Sequence, residues 1–224
     1  MRSFMKARCL GALLALLALT PGCQPAPPAP PPPQAAEDAR CREARNYVGH
    51  FRTVDTAKWE WAKDRLVKLG PAVIPVLLEA MERDAGEVDL CCADVLRRMG
   101  PDALPALDRE IRKGDAGAAD KALARRRAFR RSLIAILEGL PDPRAAQVLC
   151  RVLNEDPWPT ARRNAAFCLS IRKDPEAVGA LISALGKDPD EGVRAAARAG
   201  LRKRAGRDLG PNPEVWEAWL KSPH

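Results

Sequence analysis

Asp188-Pro189-Asp190-Glu191-Gly192-Val193-Arg194-Ala195-Ala196-Ala197 decides the fold, because the chain has already run through this pattern once. Thirty-two residues earlier stands Asp156-Pro157-Trp158-Pro159-Thr160-Ala161-Arg162-Arg163-Asn164-Ala165, with Asp-Pro, Arg and Ala in the same places. The match widens in both directions. Asp142-Pro143 answers Asp174-Pro175, Ala145 answers Ala177, Leu149 answers Leu181, Leu153 answers Leu185, and Leu169 answers Leu201. A fixed internal period of this size is the mark of a stacked repeat architecture.

Each unit reads as two helices. Val193, Ala197, Gly200 and Leu201 recur at the spacing of one helical face, as do Ala161, Ala165, Cys168 and Leu169, and Phe129, Leu133, Ile136 and Leu137. Asp-Pro suits helix entry, since the carboxylate accepts from free N–H groups and proline at the first position sacrifices no bond. The frame extends backward through Gly70-Pro71-Ala72-Val73-Ile74-Pro75 and Gly100-Pro101-Asp102-Ala103-Leu104-Pro105. Pro75 and Pro105 fall early in their helices, where they either bend the axis or mark a slipped start. The anchor leucines Leu66, Leu96, Leu137, Leu169 and Leu201 step by 30, 41, 32 and 32, so an insertion lies between Ile111 and Phe129.

One helix pair cannot bury its stripe alone, so neighbouring pairs must stack. The expectation is an all-α, right-handed superhelix of about five helix pairs over residues 36–224, clearest at 142–173 and 174–205. Residues 36–52, with Tyr47, Val48 and Phe51, would cap one end. Residues 206–224, with Trp216 and Trp219 on one helix face after Asn212-Pro213-Glu214, would cap the other.

The stretch from Asp188 to Ala197 resembles the second-helix signature of HEAT repeats, particularly the short bacterial kind called PBS-lyase HEAT-like. Asp156 to Ala165 and Phe129-Arg130 are weaker copies, and the resemblance covers roughly residues 55–205. In that family the Arg after the first apolar residue often meets an Asp of its own or a neighbouring unit. The resemblance therefore makes Arg130, Arg162 and Arg194, with Asp156 and Asp188 as partners, structural residues. Asp89 stands where the Arg should be in the unit at 88–96, so the series is broken there. The segment Gly206 to Trp216 looks like the tail of bacterial HEAT-repeat lipoproteins.

The N-terminus reads as an address. Arg2, Lys6 and Arg8 precede the apolar run Cys9 to Leu19, of signal-peptide length and shorter than the roughly 20 residues that span a bilayer. It ends in Thr20-Pro21-Gly22-Cys23-Gln24, which resembles a bacterial lipobox with Cys23 as the acylated residue. Thr20 departs from the usual aliphatic, and Gln24 is not the Asp associated with inner-membrane retention. The expected organisation is a signal peptide at 1–22, then lipidated Cys23 and a Pro-rich spacer to residue 35. Polyproline II would stretch that spacer about 3.1 Å per residue. The chain would sit in the cell envelope, at the outer membrane, with its domain in the periplasm or at the cell surface.

Composition narrows the function. The net charge is +8, of which Arg2, Lys6 and Arg8 carry three, leaving +5, too mild for a dedicated nucleic-acid binder. There is no G-x-S-x-G, no H-E-x-x-H and no phosphate-cradling Gly-rich loop, so no catalytic residue and no cofactor is assigned. His50 and His224 are the two histidines and Cys91-Cys92 are adjacent, so no metal site is expected. Cys150 and Cys168 fall on apolar faces of one unit and either form a disulfide or are two small buried residues. Cys41 could bridge to Cys91 or Cys92. Lys121, Arg125, Arg126, Arg127, Arg130 and Arg131 form a basic segment. On a straight helix Arg126 would face the same side as Phe129 and Leu133, so the helix is expected to start or kink there. The basic shoulder left behind is either a site for an anionic partner or a solvated surface balanced by Asp108, Glu110, Asp115 and Asp120. The expectation is a non-catalytic scaffold for an unidentified envelope protein. The alternatives are a HEAT-like enzyme working in the groove, lyase-like or glycosylase-like, and a purely structural envelope component.

Overall fold

Helices α7 (Pro143–Glu155), α8 (Pro159–Ile171), α9 (Glu176–Lys187) and α10 (Glu191–Ala205) carry the two clearest repeats. The structure, a computed structural model, describes residues 32–115, 117 and 119–222, without the side chains of Asp120 and Lys121. Before these four helices run α1 (Pro33–His50), α2 (Thr56–Leu69), α3 (Ile74–Arg83), α4 (Glu87–Met99), α5 (Leu104–Arg112) and α6 (Asp120–Gly139), and α11 (Pro213–Lys221) follows. The signal at 1–22, Cys23 and nearly all the spacer lie outside the described residues. Pro33, Gln34 and Ala35, expected to belong to the spacer, form the start of α1. Proline at a helix's first position loses no intrahelical bond. Among the described residues no helix is long and apolar enough to cross a membrane.

Five antiparallel pairs stack as expected, in two layers. The even-numbered helices pack in sequence, α2 on α4, α4 on α6, α6 on α8 and α8 on α10. In the other layer α1 meets α3, α7 meets α9, and α11 covers α9. The stripes read from the repeat are the core. Leu66, Leu96, Leu137, Leu169 and Leu201 are all fully buried, as are Ala165, Ala197 and Leu181.

Caps fit the chemistry of the sequence. Asp142 accepts from the Arg144 N–H at 2.8 Å, Asp190 from Val193 at 2.9 Å and Asn212 from Glu214 at 3.0 Å. Pro75 and Pro105 mark slipped starts and not bends. A short 3-10 turn, 71–73 or 100–103, precedes each, and the α-helix proper begins one residue before the proline. Trp216 is fully buried under the last repeat, and its Nε1 donates to the Gly210 carbonyl at 2.9 Å. At the other end Phe51 and Val48 are buried beneath α2 and α3.

The insertion comprises the connection between α5 and α6 and an N-terminal extension of α6, which runs unbroken for 20 residues. The helix does not start at Arg126, the first of the two expected alternatives. It runs on through that position because acceptors from three other segments meet the buried guanidinium.

Candidate functional site

Two places hold the side chains that sequence reasoning singled out: the interior around the insertion, and the outer face of the even-numbered helices.

In the interior, arginines tie the last three helix pairs together. Arg162 makes a paired contact with Asp188, Nε to Oδ2 at 2.7 Å and Nη2 to Oδ1 at 2.9 Å, and its Nη1 donates to the Asp156 carbonyl at 2.8 Å. Both side chains are under a tenth exposed. Asp188 also accepts from the Asp190 N–H at 2.9 Å, as Asp156 does from Trp158. One carboxylate therefore folds its own turn and clamps the preceding unit. Burial alone would raise the Asp188 pKa, but the Arg162 guanidinium and the Asp190 N–H outweigh it and hold the group below its ordinary value. Arg130, one unit earlier, is fully buried and paired with Asp156, while its other terminal nitrogen donates to Asp115 at 2.7 Å. Arg194 ends the series, donating to the carbonyls of Asp188 and Pro189.

The insertion supplies what the repeat lacks at Arg130. Asp115 lies in its loop and accepts from Arg127 Nε at 2.9 Å as well as from Arg130. Burial raises its pKa, and these two guanidinium groups bring it below the ordinary value. Both arginines lie over the Trp158 ring, with centroid distances of 5.2 Å for Arg127 and 5.9 Å for Arg130. Arg126 reaches Glu82 of α3 at 2.8 Å and the carbonyls of Gly114 and Glu110 at 3.1 Å each. The expected anionic-partner site is thus corrected at Arg126, Arg127 and Arg130, whose charge is already engaged by the fold. A buried guanidinium is tolerable only when so compensated. Arg125 and Arg131 remain exposed, and the Lys121 side chain lies outside what is described. Arg130, with Ile111, Asp115, Arg151, Val152 and Pro157, borders a cleft of about 590 Å³ between the insertion and α7.

Asp89 occupies the arginine position one unit earlier. Burial raises its pKa, against the Ser132 hydroxyl that donates to it at 2.7 Å. A second set of arginines escaped the sequence reading. Arg172 donates to the carbonyls of Leu137, Glu138 and Leu140 at the end of α6, and Arg204 to those of Arg172 and Asp174 at the end of α8. These two stand one repeat apart, so the period already contained the signal.

The five described cysteines are thiols. Cys150 and Cys168 are not bonded, because their sulfurs face different neighbours: Cys150 lies 4.0 Å from the Glu176 carbonyl and Cys168 3.8 Å from that of Ile134. Neither Cys91 nor Cys92 is bridged to Cys41, whose sulfur faces the Ala72 carbonyl at 3.6 Å. Burial raises the thiol pKa of Cys150 to about 11 and of Cys168 to about 12, which leaves both poor nucleophiles. Among the described residues no cluster of His, Cys, Asp and Glu is placed to hold a metal ion.

The outer face carries the exposed chemistry. Counted from the anchor leucines, Ala135, Phe167 and Ala199 are equivalent, and so are Arg131, Arg163 and Ala195. Phe167 is 61% exposed and Ile171, one turn on, 38%. Leu90 of α4 is 63% exposed on the same layer. Further along, Trp61 of α2 is half exposed and meets Tyr47 edge-on at 5.2 Å, with Arg65 over its ring. Trp59, two residues earlier, is half-buried, its Nε1 donating to the carbonyls of His50 and Thr53.

Comparison with known proteins follows this geometry. Residues 118–202 match the family model described as HEAT repeats. The chain contains a HEAT-repeat domain. A chain from the complex of CpcE and CpcF of phycocyanin lyase from Nostoc sp. PCC7120 is similar at 22% identity, over 68% of this chain and 91% of that one, with a TM-score of 0.47. No curated protein matches.

Proposed function

We propose that the protein is a non-catalytic HEAT-repeat scaffold that holds a protein partner in the bacterial cell envelope, kept at the membrane by an acyl anchor on Cys23. The observation that carries the reading is the exposure of Phe167 and Ile171 on α8, which buried arginine pairs hold in register with its neighbours. Bulky apolar side chains presented from rigid helices are what a protein interface needs at its centre. The basic start, the short apolar run and Gly22-Cys23 support the anchor and give the surface its location.

A photocrosslinking residue at position 167, in intact cells, is expected to yield a discrete protein adduct. The same residue at Glu79, exposed on α3 in the opposite layer, should yield none. Equal labelling at both positions, or none at either, removes the scaffold reading. Cys23→Ser is expected to move the protein from the detergent phase to the aqueous phase, and unchanged partitioning removes the anchor.

A further inference from the structure

We propose that the outer face of α6, α8 and α10 docks an acidic segment of the partner, one that carries bulky apolar side chains among its carboxylates. The proposal rests on the scaffold reading above and specifies the partner's chemistry.

The face has a distinct relief. Phe167 stands between Ala135 of α6 and Ala199 of α10, its equivalents one repeat to either side, and all three positions are exposed. The ring projects from between two alanines, with Ile171 continuing the apolar line along α8. Close packing keeps the three helices in place. A Cβ on Gly200 would lie 3.0 Å from that of Ser170, so α10 packs tightly against α8 at this point. Phe167 therefore projects from a fixed platform.

Charge gives the partner its sign. Arg131, Arg163 and Lys203 flank the apolar line, with Arg97 and Arg202 at its edge. Among the described residues none of these five forms a salt bridge. Arg163 donates to the Thr160 hydroxyl and lies against Gly192 of α10. Asp89 lies near Arg97 and Arg131, Asp190 near Arg163 and Asp208 near Arg202, yet none of these carboxylates forms a salt bridge with them. The same layer behaves differently at its N-terminal end, where Arg98 meets Glu60, Asp64 and Asp94, and Lys63 meets Glu60 and Asp94. Cations there are satisfied inside the fold, whereas those around Phe167 are left for something else.

Size favours a segment over a second copy. Three helices about 10 Å apart and roughly 20 Å long present on the order of 500 Å². A stable interface between folded proteins takes about 800 Å² on each side. An acidic helix or extended strand fits the smaller area.

The test uses the full chain carrying Cys23→Ser, so that no acyl group contributes. The probe is a dye-labelled peptide of about 18 residues, with Leu at helical spacing and Glu elsewhere. Its counterparts have Lys for Glu, or Ala for Leu. Saturable binding is expected for the Leu–Glu peptide, weakening as salt rises, and neither counterpart should bind comparably. Phe167→Ala is expected to weaken binding about tenfold or more. Arg131→Glu with Arg163→Glu should abolish it, and circular dichroism should show the helical content of these exposed variants unchanged. The proposal is overturned by no binding, by equal binding of the Lys peptide, or by binding that survives the variants. Recruitment to phosphatidylglycerol vesicles without peptide binding would make the face a membrane surface, and dimers lost in Phe167→Ala would make it a self-contact. Both outcomes also overturn it. A discrete adduct from position 167 in cells, with no peptide binding, would remove the acidic chemistry while leaving the scaffold reading in place.

Discussion

Asp188 and Asp208 both face an arginine, yet their surroundings make the two pairs unequal. Asp188 is buried with Arg162 and accepts two guanidinium bonds and one backbone N–H. Removing the carboxylate strands a buried positive charge, so Asp188→Ala is expected to lower unfolding stability by about 3 kcal/mol, read from urea melts. Asp208 pairs with Arg198 in the open, 3.0 Å from Nε and 2.9 Å from Nη2, where solvent already screens both partners. Asp208→Ala should leave the urea midpoint nearly unchanged, and equal losses would show that the buried pair is not special. The sign of the pH effect follows from the same geometry. Asp115 and Asp188 are both held below the ordinary 3.8 in the folded chain. Their contribution is complete above that ordinary value and is lost as pH falls through the folded values. Stability attributable to them should be level from about pH 5 to 7 and decline below about pH 4. Asp188→Asn, which cannot titrate, should flatten that decline. An unaltered acid limb in Asp188→Asn would mean that other carboxylates set it.

At the scale of the helix, two glycines of the last repeat have opposite reasons to be glycine. Gly200 sits in α10 where a Cβ would meet Ser170 Cβ at 3.0 Å and Leu181 Cδ1 at 3.3 Å. Alanine there gains about 1 kcal/mol of helix propensity but overpacks a tight contact, at a cost of about 1–3 kcal/mol. Gly200→Ala is therefore expected to destabilise. Gly179 of α9 is exposed with nothing within 4 Å of its added Cβ, so Gly179→Ala should raise stability by about 1 kcal/mol. Thermal melts of the two variants should move in opposite directions. The same scale shows what the sequence could and could not disclose. Val193, Ala197, Gly200 and Leu201 share a face by spacing alone, and the 32-residue echo in Ala161 to Leu169 places one helix on the next. Arg126 defeats such reading. Its position on the wheel is apolar, and the groups that make this tolerable are Glu82, on another unit, and two carbonyls at the insertion. Pairing across 44 residues leaves no periodic trace, so a helix start or kink was the local inference. Cys150 and Cys168 mislead in the same way, since an apolar face shared within one unit does not say toward which neighbour each sulfur turns. Phe167 was countable but unremarkable in the sequence, because exposure becomes visible only once the alanines beside it are in place.

Across the whole molecule, the two clear repeats and the N-terminal units meet at an unusual seam. Elsewhere each even-numbered helix continues the layer before it, but α3 leans on α4 and α6, and α6 reaches back to it through Arg126. That one guanidinium bridges Glu82 on the N-terminal side to the carbonyls of Glu110 and Gly114, at the end of α5 and in the insertion. In a stacked architecture stability is close to a sum of unit terms and nearest-neighbour terms. Loss of a term at a seam should therefore act on one side of it more than the other. The C-terminal side keeps Arg130 on Asp156, Arg162 on Asp188 and the Trp216 cap. On the N-terminal side Asp89 interrupts the arginine series, and Cys92 and Leu96 of α4 depend on packing alone. Arg126→Ala leaves Glu82, which is half exposed, to solvent and two carbonyls short of a donor, a loss of about 1–2 kcal/mol at the seam. Native-state hydrogen exchange is expected to show amides of α1 to α4 losing protection while those of α7 to α10 keep most of theirs. Denaturant unfolding should broaden or divide into two steps as the halves separate. A uniform fall in protection along the chain would mean that the solenoid unfolds as one unit, and that the seam has no independent weight.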